Sequence, residues 1–123
     1  MQETITIVKI GGQILDHAEN LSLFRDQFVG LSGKKILVHG GGKLATSLAD
    51  KLGIQQQMIN GRRVTDSETL KVVTMVYAGL INKQLVAYFN SRGCMSLGVC
   101  GADAKLITAH KRQHPTIDYG WVG

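Results

Sequence analysis

The stretch Lys35-Ile-Leu-Val-His39-Gly-Gly-Gly42 decides the fold class of this chain. Its first half is short and almost wholly apolar, which is typical of a strand covered by helices on both faces. A leucine stands at every fourth position from Leu44 to Leu52, which predicts a helix. The three glycines therefore mark the turn from a buried strand into a helix.

A strand and a helix are also predicted before this stretch. Residues 4–10 are short and β-branched and stop at Gly11-Gly12, which indicates a strand that ends in a glycine turn. Asn20 is predicted to cap a helix that ends at Gly33. The order strand, helix, strand, helix indicates an α/β fold with a parallel pair of strands.

A hairpin and a long helix are predicted next. Asn60-Gly61 lies between short apolar pieces in residues 57–65, which predicts a β-hairpin. Residues 65–68 have the form of a capping box, with Thr65 as the cap of the following helix. The apolar pattern continues to residue 93, so we expect a break or bend in the helix near residues 79–82.

The last third of the chain carries weaker signals. Residues 95–99 predict a third core strand, and the Gly101-Ala-Asp103 turn follows them. Residues 111–123 are predicted to form a hairpin. Asp103 either caps this turn or contributes to a site, and the sequence leaves its role open.

Composition limits the class of function. The 123 residues are 44% hydrophobic and carry a net charge of +5, which suits a folded domain with an anionic partner. Few aromatic residues are available to stack on bases, so we expect no nucleic acid partner.

Cys94 and Cys100 do not have the spacing of a zinc site, and we expect no metal ligands and a reducing, cytoplasmic location. The longest uncharged apolar stretch, residues 72–82, is shorter than a membrane span.

Chemistry is expected where the parallel strands end. Lys9 lies one residue before the end of the first strand, where its ammonium group can face an anion. The Gly40-Gly41-Gly42 turn can form an anion hole, because the missing side chains allow close approach and the helix start supplies free amides.

Other readings of the glycine turn give different functions. A Walker loop needs a glycine six positions before its lysine and a Ser or Thr after it, but Leu37 and Leu44 stand at these positions around Lys43, so the sequence does not match a Walker loop. Gly40, Gly42 and Ala45 formally match a dinucleotide fingerprint, so a fragment of a dinucleotide-binding oxidoreductase remains an alternative. A non-enzymatic module that binds an anionic metabolite is another. The sequence leaves open whether His39 is a catalytic base or a structural residue.

Four motifs together resemble the acetylglutamate kinase branch of the amino acid kinase family, specifically its amino-terminal half. They are Val-Lys9-Ile-Gly-Gly12, Val-His39-Gly-Gly-Gly42, Asn60-Gly-Arg-Arg63-Val-Thr65 and Asn82-Lys83. The resemblance implies a three-layer αβα sandwich around a mainly parallel sheet. It also implies ATP-dependent phosphorylation of the side-chain carboxylate of N-acetyl-L-glutamate or a similar N-acylglutamate, the second step of arginine biosynthesis.

The same resemblance implies roles for five residues. Lys9 would stabilise charge on the transferred phosphoryl group, and Gly12 and Gly41 would donate backbone amides to it. Gly41 and Gly42 would line the acylglutamate site, and Arg63 would bind a substrate carboxylate. ATP with Mg²⁺ would be the co-substrate, with no bound organic cofactor.

The domain organisation implied by the family is one half of a larger fold. Residues 1–123 would form the acylglutamate-binding and dimerisation half, and a carboxy-terminal nucleotide-binding half would be absent, so this chain alone would be inactive. A homodimer would form through the long helix, with Val73, Tyr77 and Leu80 as its apolar stripe.

Overall fold

Two parallel strands, a separate hairpin and a long helical run build the part of the chain that the computed structural model describes, residues 4–123. The regular elements are β1 (Ile5–Ile10), α1 (Gly12–Leu15), α2 (Ala18–Gly30), β2 (Lys34–His39), α3 (Leu44–Lys51), β3 (Gln57–Ile59), β4 (Arg62–Val64), α4 (Ser67–Thr74), a π-helical segment (Met75–Ile81), α5 (Asn82–Ser91) and a 3₁₀ turn (Asp103–Lys105).

β1 and β2 pair in parallel, with Val8 opposite Leu37 and Ile7 opposite Ile36. Side chains alternate between the two faces of the pair. Val8 and Leu37 pack against the helical core, whereas Ile7 and Ile36 are 68% and 48% exposed on the other face. Among residues 4–123 helices therefore cover only one face of β2, and the second helical layer expected from the sequence is not formed by these residues. The α/β class with a parallel pair is confirmed.

The core lies between α2, α3 and the helical run that begins at Ser67. Phe28 of α2 meets Phe89 of α5 with ring centroids 4.9 Å apart. Ala45 and Ala49 of α3 are fully buried, because small side chains let α3 pack closely on α4 and the π-helical segment. Burial of each large apolar side chain contributes about 1.5–3 kcal/mol.

The start of α2 differs from the prediction. The helix begins at Ala18 with His17 at the cap position, and His17 makes no side-chain cap. Asn20 lies inside the first turn, where its amide donates to the carbonyl of Gln13 over 3.2 Å. The side chain of Asn20 therefore hydrogen-bonds to α1 and does not cap α2.

The β3–β4 hairpin forms as predicted from Asn60-Gly61. Both residues have positive φ, +52° for Asn60 and +73° for Gly61, as a two-residue type I′ turn requires. Gln57 pairs with Val64 and Ile59 pairs with Arg62. The turn thus fixes the register that places Arg63 in the middle of β4.

The cap of α4 is Asp66, and the prediction of Thr65 is wrong. The carboxylate of Asp66 accepts from the backbone amide of Thr69 over 2.8 Å. Thr65 instead bonds through its backbone to Tyr119 over 2.9 Å and to Trp121 over 2.7 Å. These bonds hold Thr65 in an extended bridge opposite Gly120, so its hydroxyl does not cap the helix.

The helical run continues from Ser67 to Ser91 without the expected break. Its middle, Met75–Ile81, is π-helical and contains Gly79, so a local change of helix type replaces the break. By length and composition this run could cross a membrane, and it is the one such helix among residues 4–123. Its buried face packs in the core, as core helices of soluble proteins do, so it is weak evidence for a membrane.

The predicted third strand is absent from the described part of the chain. Residues 94–100 run alongside α5, and side chains of α5 form hydrogen bonds with their backbone. The amide of Ser96 donates to the side chain of Asn90 over 2.7 Å. The ammonium group of Lys83 donates to the carbonyl of Gly98 over 2.8 Å. Met95 and Leu97 are exposed. The sequence pattern of a strand is present in residues 95–99. No other strand of the described residues lies beside them, so no strand forms there.

The hairpin predicted for residues 111–123 also does not form. One backbone bond joins the two ends of this segment, from the amide of Arg112 to the carbonyl of Val122. The segment instead attaches to the rest of the fold through Thr65, because the backbone of Thr65 offers both a donor and an acceptor at the end of β4.

Candidate active site

The ends of β1 and β2 bring two glycine turns together. A side chain on Gly12 would stand 3.7 Å from the Cα of Gly42. Gly42 has φ of +54°, a conformation that residues with a Cβ rarely adopt. The structure therefore places the backbones of Gly12 and Gly42 side by side, at the edge of the parallel pair where a ligand is expected.

Asp16 lies between the two turns, and the sequence reasoning missed it. Its carboxylate accepts a hydrogen bond from the backbone amide of Lys43 over 2.7 Å. It also fills the space in which a side chain at Gly12 or Gly42 would stand. The available signal was an acidic residue at the end of α1, one helical turn after Gly12.

The ring of Tyr77 packs on the opposite side of the same loop. Its edge lies where a side chain on Gly41 would be, and Gly41 is buried. Tyr77 belongs to the π-helical segment, so the loop packs against the middle of the long helical run.

The imidazole ring of His39 holds the start of the loop by a hydrogen bond to the backbone of the loop. Its Nδ1 lies 2.9 Å from the carbonyl oxygen of Gly40, and its Nε2 lies 3.1 Å from the side-chain nitrogen of Asn82. A carbonyl only accepts, so Nδ1 carries the proton and Nε2 accepts from the amide. The Oδ1 of Asn82 accepts from Lys83 over 3.2 Å. Both ring nitrogens of His39 are thus engaged by the protein.

Arg63 lies in a cavity beside this loop. Its guanidinium donates to the hydroxyl of Thr46 over 2.5 Å, and its Nε is buried without a hydrogen-bond partner. The cavity measures about 290 Å³. It contains three arginines and no acidic residue; its lining is Arg62, Arg63, Thr65, Val73, Tyr77, Arg112, Tyr119 and Val122.

Two contacts connect the cavity to the rest of the fold. Tyr77 lines it and also packs on Gly41, so the cavity and the glycine loop share one wall. The guanidinium of Arg112 lies over the ring of Tyr119, 5.3 Å from its centroid. An arginine-lined space with unsatisfied donors suits an anionic ligand.

Lys9 lies apart from this cavity. It is exposed and pairs across the strands with Val38, on the same face as Ile7. The structure therefore separates the two predicted cationic residues: Arg63 is on the helix-covered side of the fold, and Lys9 is on the exposed side near the strand end.

Asp103 caps its own turn. Its carboxylate accepts from the backbone amide of Cys100 over 2.6 Å. That hydrogen bond, with a smaller contribution from the positive charge of Lys83, lowers the pKa of Asp103 below its ordinary value. Among residues 4–123 no three His, Cys, Asp or Glu side chains lie together as a metal site.

The sequence of nearly the whole chain matches known proteins. The sequence profile of the amino acid kinase family matches residues 4–120. This chain belongs to the amino acid kinase family. The family predicted from the four motifs is thus confirmed, and with it the αβα class of fold.

Acetylglutamate kinases are among the similar curated proteins. This chain is 50% identical over 123 residues to the one from Bacteroides thetaiotaomicron, covering 100% of this chain and 48% of that protein. It is 52% identical over 122 residues to the one from Cytophaga hutchinsonii, covering 98% of this chain and 46% of that protein. The chain spans about half the length of these relatives and matches their amino-terminal half.

A solved structure supports the fold. The crystal structure of smu.665 from Streptococcus mutans UA159 superposes with a TM-score of 0.55 over 72% of this chain and 37% of that one. The sequence identity of 24% makes this a likeness of fold alone.

Proposed function

We propose that this chain is the acyl-acceptor half of an acetylglutamate kinase. The enzyme would transfer the γ-phosphoryl group of ATP to the side-chain carboxylate of N-acetyl-L-glutamate or a similar N-acylglutamate, the second step of arginine biosynthesis. The observation that carries the proposal is the arginine-lined cavity that shares Tyr77 with the glycine loop. The identity of about 50% to acetylglutamate kinases supports it.

Each part of the site has a task in this reaction. Arg63 would bind a substrate carboxylate through its planar guanidinium group, which offers paired donors. Gly41 and Gly42 would line the acceptor through their backbone atoms, since the spaces in which their side chains would stand are occupied by Tyr77 and Asp16. The side-chain carboxylate of the acceptor would then point toward the strand ends, where the two glycine turns lie.

Catalysis would rest on position and charge. Phosphoryl transfer passes through a transition state with negative charge spread over the phosphoryl oxygens. The backbone amides of Gly12 and Gly41 and the ammonium group of Lys9 would stabilise that charge. No covalent intermediate on the protein is required, because the acceptor carboxylate is itself the nucleophile.

The remaining components follow from the same proposal. ATP would enter with Mg²⁺ as a co-substrate, from the side of the exposed face that carries Lys9, and the enzyme would act in the cytoplasm.

We also propose a homodimer that forms through the long helical run. Val73 and Tyr77 line the cavity, so the dimer contact would use exposed residues of the run such as Met75 and Leu80.

Titration calorimetry on the 123-residue chain tests acceptor binding. N-acetyl-L-glutamate and N-succinyl-L-glutamate are compared with ATP and NAD. We expect binding of an acylglutamate, at least tenfold weaker after Arg63→Ala and unchanged after Arg92→Ala, which removes an arginine outside the cavity. Binding of NAD but of neither acylglutamate would contradict the proposal.

A hydroxamate assay tests the reaction itself. The protein as its gene encodes it is mixed with ATP, Mg²⁺ and N-acetyl-L-glutamate, and the acyl phosphate is trapped by hydroxylamine. A chimera that joins this chain to the carboxy-terminal half of the Bacteroides thetaiotaomicron enzyme serves as the second measurement. We expect the chimera to turn over substrate. Binding of acylglutamate without turnover in either protein would instead identify a binding module.

A further inference from the structure

We infer that Asp16 is a positioning residue: its carboxylate holds the glycine loop in the conformation in which its backbone meets Gly12. This inference rests on the proposed function, because it concerns the same loop. The proposed reaction assigns Asp16 no contact with either substrate. It acts through the backbone of residues 40–43.

Contacts at both ends of Asp16 support this role. Its own amide donates to the carbonyl of Gly12 over 2.8 Å, which fixes Asp16 to the first glycine turn. Its carboxylate accepts from the amide of Lys43 over 2.7 Å, a contact that spans 27 residues of sequence. Asp16 therefore joins the end of β1 to the start of α3.

The loop needs such a contact because it cannot hold itself. Gly40, Gly41 and Gly42 have no side chains with which to fix one another, and glycine loses more conformational entropy on ordering than any other residue. In addition, α3 has no side-chain cap of its own at Lys43. Asp16 supplies the missing acceptor for the first turn of α3 from elsewhere in the chain.

The contact also engages one amide of the loop. The carboxylate accepts from the amide of Lys43, so this amide is not available to a ligand. A negative charge beside a site for anions is unfavourable by itself. Asp16 is therefore needed here as a hydrogen-bond acceptor, and an uncharged acceptor of the same shape serves as well.

The test compares Asp16→Ala with Asp16→Asn in the active chimera or in the protein as its gene encodes it. Asparagine keeps an oxygen acceptor and removes the charge. We expect Asp16→Ala to lower kcat about 10- to 100-fold, because small displacements of a positioned site are expensive in rate. The KM for acylglutamate should rise as well, because Gly41 and Gly42 of the same loop would line the acceptor. Asp16→Asn should stay within about threefold of the parent kcat. Asp50→Ala, which removes an exposed aspartate of α3, is the matched control.

Amide hydrogen exchange on the 123-residue chain provides a readout that does not depend on activity. We expect the amide of Lys43 to lose protection in Asp16→Ala and to keep it in Asp16→Asn and Asp50→Ala. Two outcomes would overturn the inference. One is unchanged protection of Lys43 and unchanged kcat in Asp16→Ala. The other is an Asp16→Asn variant that keeps this protection but loses kcat as Asp16→Ala does, since the charge would then be the essential feature. Failure of the proposed function would instead appear as no acylglutamate binding by the parent chain.

Discussion

The ring of Tyr77 occupies the space in which a side chain on Gly41 would stand. The absence of a side chain at position 41 is therefore required by packing, before any ligand is considered. The relationship joins the π-helical segment to the loop between β2 and α3, and it sets the wall that the loop shares with the arginine-lined cavity.

Substitution of Gly41 by alanine should destabilise the fold through Tyr77. We expect a loss of about 1–3 kcal/mol in the free energy of unfolding, as for other overpacked sites. The loss should be smaller when Tyr77 is also replaced by alanine, with a coupling of at least about 0.5 kcal/mol in a double-mutant cycle measured by urea unfolding. Gly40→Ala is the control, because nothing lies within 4 Å of the added Cβ. Equal losses at positions 40 and 41 would contradict the packing argument.

His39 should act through structure, because the protein engages both of its ring nitrogens. We expect His39→Asn to keep kcat within about tenfold, since an asparagine amide can still donate to the carbonyl of Gly40. Loss of a general base typically costs 10²–10⁴ in rate. Steady-state kinetics on the active chimera distinguishes a structural from a catalytic role. A decrease in kcat of more than about 10²-fold in a folded His39→Asn protein would indicate that His39 is catalytic.

Lys9 and Arg63 should have separable effects, since the structure places them on opposite sides of β1 and β2. Lys9→Ala should lower kcat about 10²-fold or more, and Arg63→Ala should mainly raise the KM for acylglutamate. Lys34→Ala, at the other end of the face that carries Lys9, should leave both constants unchanged. Small and equal effects of the Lys9 and Arg63 substitutions would remove the basis for their assigned roles.

The exposed face of β1 and β2 should be replaceable without loss of stability. We expect Ile7→Thr with Ile36→Thr to lower the binding of a hydrophobic dye and to change the free energy of unfolding by less than about 1 kcal/mol. The matched pair on the inner face, Val8→Thr with Leu37→Thr, should cost about 2 kcal/mol or more because it puts hydroxyls into the core. Similar losses for both pairs, measured by urea unfolding, would show that the outer face is also buried.

Asp66 should make stability depend on pH. The backbone amide of Thr69 donates to its carboxylate and lowers its pKa from the ordinary value of 3.8. The folded state therefore favours the charged form, so this stabilisation is present above pH 3.8 and is lost as the pH falls through the lowered pKa. Asp66→Asn keeps the cap and removes the charge. Urea unfolding at pH 7 and pH 3 should show a smaller pH dependence in Asp66→Asn than in the parent, and an equal dependence would contradict this.

Much of the local structure could be predicted from the sequence because its causes are local. Asn60-Gly61 forms the hairpin since these two residues tolerate positive φ at adjacent positions. The apolar spacing of the helices determines which faces are buried, as Phe28 and Phe89 show. The two cap predictions were wrong because contacts outside the helix competed: Tyr119 and Trp121 hydrogen-bond to the backbone of Thr65, and the side chain of Asn20 hydrogen-bonds to the carbonyl of Gln13 in α1.

The sequence by itself determined the family, the glycine turns, and the order of the strands and longer helices as far as Ser91, because short motifs and periodic side chains carry this information along the chain. Only the tertiary structure decided which groups meet at the site. Asp16 and Lys43 are 27 residues apart in the sequence, and Asn82 and His39 are 43 apart. No periodic pattern links such pairs. They meet because parallel strands bring their carboxyl ends to one edge, and the helices that pack on those strands then deliver their side chains to the same loop.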